Sequence, residues 1–389
     1  MVDEVVILSA VRTPIGKLGR ALQSVSAVQL GTLAAKAAIQ RSGLAADQIQ
    51  QTIFGTVVQA GLGQNVARQV ELNAGLPVSS TAMTVNQVCG SSLKAIRLGQ
   101  SAILMGDADA VLVGGAESMS QAPYLSPHTR FGHKFGDIQL VDGLSRDGLT
   151  DAFHGYPMGI TAENVAATYH VTREEQDAFA LASQQKAAVA QAEHRFADEI
   201  IPVPVGDTLV SRDEGVRPTT SLAKLAALPS AFKPDGTVTA GNSAGLNDGA
   251  AAMVLMRKSA AEAAHLPYLA TLTGFQEVGI DPALMGYAPK EAIAQVLQKQ
   301  RLAVSDIDRF ELNEAFAAQS VAVTRDLQLP ADKVNVNGGA IALGHPLGAS
   351  GTRIVVTLLH ELRRTGQHRG LAAMCIGGGM GMALTLEMQ

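Results

Sequence analysis

Short apolar, β-branched runs alternate along this chain with longer stretches in which Ala, Leu and Ile recur at helical spacing. Residues 5–10 read as a strand, 30–41 as a helix and 52–59 as a strand. Residues 83–86 then lead into a helix over 91–105, followed by a strand at 110–113. Glycine-bearing turns at 86–90, 106–109 and 114–115 separate these segments. The alternation predicts an α/β fold of largely parallel strands with crossover helices. The second half repeats the plan, with a strand at 309–312, a helix over 314–327, a strand at 334–337, a Gly-rich loop, a helix near 352–363 and a strand at 371–375. In each half a Gly/Ser-rich loop opens a helix, and an apolar strand downstream ends in glycines: Val113-Gly114-Gly115 in one, Ile376-Gly377-Gly378-Gly379 in the other. Two copies of one α/β unit explain this. Between them, over about 118–246, the texture shifts to Pro, His, Met and charged residues. That is the composition of an inserted loop region, and long loops in compact proteins are usually functional or disordered. Residues 251–256 read as the strand that closes the first unit, so the expected organisation is 1–117 with 247–262, an insertion at 118–246, and a second half at 263–389.

Composition narrows the class. The 389 residues are 47% apolar, 17% charged and 4% aromatic without Trp, so a large core must be built from Ala, Val, Leu, Ile and Met. A formal charge of −5, with no long run of one sign, excludes an extended nucleic-acid surface. No stretch approaches the ~18 consecutive apolar residues of a membrane span, so no membrane is expected as partner. The acidic pair Asp3-Glu4 stands where a secretory signal would be basic. Cys89 and Cys375 lack ligand-type or CxxC spacing, which supports neither zinc nor a disulfide framework; a reducing cytoplasm is the expected compartment.

Four segments carry candidate chemistry. Cys89, in Asn86-Gln87-Val88-Cys89-Gly90-Ser91-Ser92, lies where a strand turns into a helix. A helix N-terminus favours thiolate and lowers a free-cysteine pKa from about 8.5, which predicts a nucleophile; the competing reading is a buried thiol packed as a small hydrophobe. His345 lies in Asn337-Gly338-Gly339-Ala340-Ile341-Ala342-Leu343-Gly344-His345-Pro346-Leu347-Gly348, also read as a strand-to-helix connection. An imidazole there can take a thiol proton at neutral pH, whereas a lone surface histidine would be inert. Cys375 precedes Ile376-Gly377-Gly378-Gly379-Met380-Gly381, whose backbone N–H groups can receive an oxyanion. Phosphate cradling is the rival use of such a loop, but no GxxxxGK[ST] occurs and no GxGxxG opens a helix at a strand end. Asn313, in Asn313-Glu314-Ala315-Phe316, offers an amide to orient a water or a substrate oxygen.

Together these motifs resemble the thiolase superfamily, and the resemblance runs from end to end. It includes Ser9-Ala10-Val11-Arg12-Thr13-Pro14-Ile15-Gly16, Gly114-Gly115-Ala116-Glu117-Ser118-Met119, Thr237-Val238-Thr239-Ala240-Gly241-Asn242 and Gly344-His345-Pro346-Leu347-Gly348-Ala349-Ser350-Gly351. It implies a five-layered αβαβα core of two βαβαβαββ halves with a loop domain over a coenzyme A site. Cys89 would carry the acyl group, His345 would activate it, and Cys375 would remove the α-proton of a second acyl-CoA. One oxyanion hole would combine His345 with a water held by Asn313, and the other the backbone N–H groups of Cys89 and Gly377. The implied reaction joins two acetyl-CoA into acetoacetyl-CoA and CoA, or reverses it, with CoA thioesters as substrates and with no metal and no cofactor. For the pantetheine or acyl pocket the resemblance offers Met158, Leu225 and Phe232, with Arg217, Ser221 and Ser243 as polar contacts.

Two departures leave chain length open. Ala244 stands where short-chain members carry Ser, and Pro157 where many carry His. A broader 3-ketoacyl-CoA thiolase of fatty-acid degradation is therefore the alternative. A ketoacyl synthase would place two histidines where this chain has Asn313 and Cys375, and a non-catalytic lipid-binding relative would have no need of all four groups. A homotetramer built as a dimer of dimers is expected, with residues 128–135 as its contact. Physiological direction and pathway are not legible in the sequence.

Overall fold

The computed structural model describes residues 3–389. Nine strands form one continuous path: β1 (Val5–Arg12), β2 (Gln51–Gly55), β3 (Thr81–Val85), β4 (Ala110–Ser118), β5 (Asn247–Arg257), β6 (Ala270–Gly279), β7 (Arg309–Leu312), β8 (Arg369–Ile376) and β9 (Met380–Met388). Their spatial order is β7-β8-β9-β6-β1-β5-β4-β2-β3, and the two-residue strand Gly16–Lys17 pairs with β5 off this path. The path divides at its middle. β1 and β6 share only two partnered positions, Val6 with Thr271 and Ile7 with Ala270, whereas β1–β5 and β6–β9 pair along their lengths.

On either side of that joint the order is the same. In the first half β3 and β2 are parallel, β2 and β4 are parallel, and β4, β5 and β1 continue antiparallel. In the second, β7 and β8 are parallel, and β8, β9 and β6 continue antiparallel. The expected strand at 334–337 would complete the match, but only a single parallel bridge, Phe310 with Val334, forms there. Asn335 accounts for the shortening: its φ is 44°, and its side chain accepts from Leu312 N at 2.7 Å and donates to Leu312 O at 2.9 Å, replacing the ladder it would have extended.

Five helices order the layers: α1 (Ala27–Ser42), α2 (Ser91–Met105), α3 (Ala288–Gln300), α4 (Ala317–Asp326) and α5 (Ser350–Thr365). Because successive strand residues face opposite sides, Met253 and Val254 of β5 enter different cores. The central core packs Leu93, Ile96 and Ile103 of α2 and Ile354, Leu358 and Leu362 of α5 between both halves of the sheet. Leu30, Ala34 and Ala38 of α1 cover the outer face of the first half, and Ala292, Ile293 and Val296 of α3 that of the second. The result is the αβαβα stack. The sequence of α1 explains its limits: Ser26 and Gln29 form a capping box at its start, and Gly43 at φ 75° ends it.

Residues between β4 and β5 add no strand to this sheet; they contribute two small two-stranded sheets and the helices Met158–Thr168 and Arg173–Ala192. The equivalent connection in the second half is the turn Gly377-Gly378-Gly379, in which Gly378 and Gly379 have φ of 85° and 80°. Among the described residues no helix is long and apolar enough to cross a membrane.

Candidate active site

Cys89 sits at the end of a strained turn. Val88, just before it, has φ 46°, a conformation that costs a β-branched residue energy and is found where surrounding bonds enforce it. Asn86 Oδ1 accepts from Val88 N at 3.0 Å, and Ser91 Oγ accepts from Gln87 N at 2.9 Å while donating to Val88 O at 2.6 Å. Gly90 caps α2, and a Cβ on it would collide with Ile376, so glycine lets the Cys89 turn meet the end of β8. The expected low thiol pKa is not what this site produces. Burial pushes Cys89 up to about 11, against the opposing effect of N–H groups from Gly377 and from Cys89 itself. The cost of desolvating a thiolate outweighs the helix terminus, and at neutral pH Cys89 is a thiol.

His345 is buried, and burial pushes its pKa down to about 3, so the ring is neutral. Its tautomer follows from its neighbours. Ser350 Oγ gives its one proton to Pro346 O at 2.9 Å and lies 2.5 Å from His345 Nδ1, so Nδ1 must be the donor in that contact. Nε2 is left as an acceptor, with Asn313 Nδ2 at 3.5 Å. No strand precedes His345: the expected strand-to-helix connection is the short helix Ala340–Leu343 and a turn through Gly344, whose φ of 116° belongs to glycine. Asn247, on β5 of the other half, accepts from His345 N at 3.0 Å and donates to Gly16 O at 2.9 Å.

Asn313 follows β7, and its Oδ1 is buried with no protein partner, as an amide that orients a water would be. The helix expected from 314 begins at Ala317, because Glu314 is drawn aside: it accepts from Ser183 Oγ at 2.6 Å, Asn335 Nδ2 at 2.8 Å and Ile341 N at 3.2 Å. Cys375 is fully buried beside Met285 and Ala315, and burial pushes its thiol far above the ordinary range.

A cavity of about 70 Å³ brings some of these groups together, while Asn313 and Cys375 do not line it. Cys89, His345 and Gly377 line it, with apolar walls from Met119, Met158, Met285, Phe316 and Leu347. A larger hollow of about 540 Å³, between the Arg173–Ala192 helix and α4, contains none of them. Of the residues expected to hold the ligand, Met158 lines the cavity and Phe232 lies one layer behind, against Gly159 and edge-on to Phe316 at 6.1 Å. Leu225 instead belongs to the core, 4% exposed among Ala180, Ala317 and Ile341. The hydroxyl of Ser243 is spent on Thr239 O at 2.7 Å, and its neighbours Ala244 and Gly245 reach the cavity in its place. Ser221 caps the helix Leu222–Ala226, and Arg217 lies exposed with its backbone N donating to Gln184 Oε1 at 2.7 Å.

Sequence reasoning missed three supporting residues. Ser350 sets the histidine tautomer; Gln319 bonds Cys375; and Glu117 accepts from Val57 N, Val58 N and Gly348 N at 2.8–3.1 Å, tying β4 to the loop after His345. Burial holds the Glu117 pKa up to about 7. The groups brought together can pass a proton between a thiol and an imidazole and place backbone donors on an oxyanion.

The family model described as Thiolase, N-terminal domain matches residues 5–259, and that described as Thiolase, C-terminal domain matches residues 266–388. An acetyl-CoA acetyltransferase of Chromobacterium violaceum is 52% identical, with 99% of each chain covered. Among solved structures, the Bacillus anthracis acetyl-CoA acetyltransferase superposes with a TM-score of 0.97 at 40% identity, covering 100% of this chain and 99% of the other. The human mitochondrial 3-ketoacyl-CoA thiolase in complex with CoA does so at 0.97 and 43%, covering 100% and 98%.

Proposed function

The chain belongs to the thiolase family, and on that premise we propose that it is an acyltransferase that joins two acetyl-CoA into acetoacetyl-CoA and CoA, and cleaves acetoacetyl-CoA in reverse, through an acetyl group on Cys89. The observation that carries the reading is the small cavity in which Cys89, His345 and Gly377 meet.

All three titrating groups begin neutral, which sets the order of proton transfers. His345 Nε2 takes the Cys89 proton as Sγ attacks the thioester carbonyl. The oxyanion is held by N–H donors, each worth roughly 2.7–4 kcal/mol in such transition states. The C–S bond to CoA breaks, CoA leaves as a thiol with the proton that His345 took from Cys89, and the freed imidazole then takes the proton of Cys375. Acetyl-Cys89, imidazolium and the Cys375 thiolate remain, the two charges compensating each other. The thiolate removes an α-proton from a second acetyl-CoA, and the carbanion attacks the acetyl carbonyl. Cys89 departs and recovers its proton from His345, so every group returns to its starting state. Only protons and an acyl group move, and no step calls for a metal or a redox cofactor.

Met158, Phe316, Met285 and Leu347 line this small cavity, which supports a preference for acetyl over long chains. The discriminating experiment is kcat/KM for 3-ketoacyl-CoAs of increasing length. The expected preference for acetoacetyl-CoA over 3-ketodecanoyl-CoA is roughly 5- to 150-fold, equivalent to the ~1–3 kcal/mol cost of overpacking a formed site. Equal efficiency would replace this reading with a broad 3-ketoacyl-CoA thiolase, which Ala244 at the cavity wall favours.

For the bound CoA moiety, the exposed Arg217 and the part-buried Ser221 are the polar groups we assign to its outer portion. The assembly we infer is a dimer of dimers joined through residues 128–135; Phe131 and Phe135 are 96% and 97% exposed, a solvation cost that a partner would remove. A reducing cytoplasm suits a reaction that needs both thiols free.

A further inference from the structure

Gln319 is buried in the first turn of α4, and its amide is committed at both ends. Nε2 donates to Asn313 O at 3.0 Å, and Oε1 accepts from Cys375 Sγ at 2.9 Å. Turning the amide over would set two carbonyl oxygens against each other, so the acceptor is locked toward the sulfur. Gly286 backs the side chain; a Cβ there would lie 3.0 Å from that of Gln319. Cys375 shares its apolar cluster with Met285 and Ala315, against which Met158 and Phe316 pack, and the titrating group whose charge it feels is Cys89.

We propose that Gln319 is the positioning residue of the proton-abstracting thiol: its fixed Oε1 sets the direction of the Cys375 S–H bond and makes the thiolate, once formed, a stronger base toward the substrate α-carbon. The proposal rests on the reading of Cys375 as that base. An ordinary buried glutamine would need only satisfied partners; this one ties the sulfur to the backbone of Asn313, whose side chain faces His345 Nε2. An amide oxygen beside a thiol stabilises S–H, and beside a thiolate it opposes lone pair with lone pair. Gln319 therefore acts on the deprotonation step and leaves attack by Cys89 alone.

The test uses Gln319→Met, Gln319→Glu and Cys375→Ala in the full chain. Exchange of the acetyl group between acetyl-CoA and labelled CoA reads the Cys89 half-reaction, and condensation of acetyl-CoA reads the whole. Gln319→Met should keep at least a third of the exchange rate, lose at least tenfold in condensation kcat, and change KM little. Gln319→Glu should recover with acid, because a protonated carboxyl reproduces the donor and acceptor of the amide: its condensation kcat relative to wild type should rise at least fivefold from pH 8 to pH 6. Condensation by Gln319→Met within twofold of wild type, equal loss of exchange and condensation, or a Gln319→Glu ratio flat with pH would each overturn the inference. Condensation retained by Cys375→Ala would instead remove the base reading on which it stands.

Discussion

In the proposed reaction, the resting charge states of Cys89 and His345 decide how catalysis begins. With the thiol pushed up to about 11 and the imidazole down to about 3, the free enzyme holds a neutral pair rather than a thiolate–imidazolium pair. Alkylation of Cys89 by iodoacetamide follows the thiolate fraction, so in free enzyme its rate should climb about tenfold per pH unit from 7 to 10. A plateau near pH 7 would show that a preformed ion pair exists. Below neutrality, kcat/KM should show no ionisation at the ordinary histidine value, because His345 stays unprotonated until far lower pH. The position of Cys89 at the start of a helix was legible in sequence, since a strand-like run meets Gly90-Ser91-Ser92 there. The sign of its pKa shift was not. It depends on burial by Met158, Phe316 and Leu347, residues far away in the chain. The role of Ser350 was hidden for a similar reason: five residues after His345, it meets the ring only because the chain turns tightly through Pro346.

At the scale of elements, the site is assembled by the loops at the ends of β4, β7 and β8 and by the turns that open α2 and α5. Glycines at these junctions are set by geometry rather than by composition. Gly344 has φ 116°, and a Cβ there would lie 2.5 Å from the Asn247 side chain that holds His345 N. Gly344→Ala should therefore shift the imidazole and lower kcat/KM by roughly 100-fold, the scale that a misplacement of about 1 Å can cause. Circular dichroism would check that the fold persists; activity within threefold of wild type would contradict the assignment of Gly344. Most strands and helices were readable from period, and the edges that moved did so because of side chains. Asn335 truncates the strand beside β7, and Glu314 delays α4 by three residues, both by taking backbone or hydroxyl partners that periodicity cannot reveal.

At the scale of the whole molecule, two matching halves face each other across α2 and α5, and each supplies part of the proposed site: Cys89 comes from the first half, His345 and Cys375 from the second. The repetition was visible in sequence as two glycine-ended strands following two Gly/Ser loops. Their closure onto one cavity was not, because it depends on contacts such as Asn247 with His345 and Glu117 with Gly348, between residues roughly a hundred or more apart. Residues 128–135 carry their own test: light scattering at micromolar concentration should give the mass of four chains, and Phe131→Ser with Phe135→Ser should yield dimers while leaving kcat/KM within threefold. A wild-type monomer would contradict the assembly. The most direct test of the central claim follows the acetyl group itself. Cys375→Ala, mixed with labelled acetyl-CoA and digested, should carry one acetyl group per chain on the peptide containing Cys89, and release no acetoacetyl-CoA; Cys89→Ala should carry none. Stoichiometric label persisting in Cys89→Ala, or acetoacetyl-CoA formed by Cys375→Ala, would contradict the account.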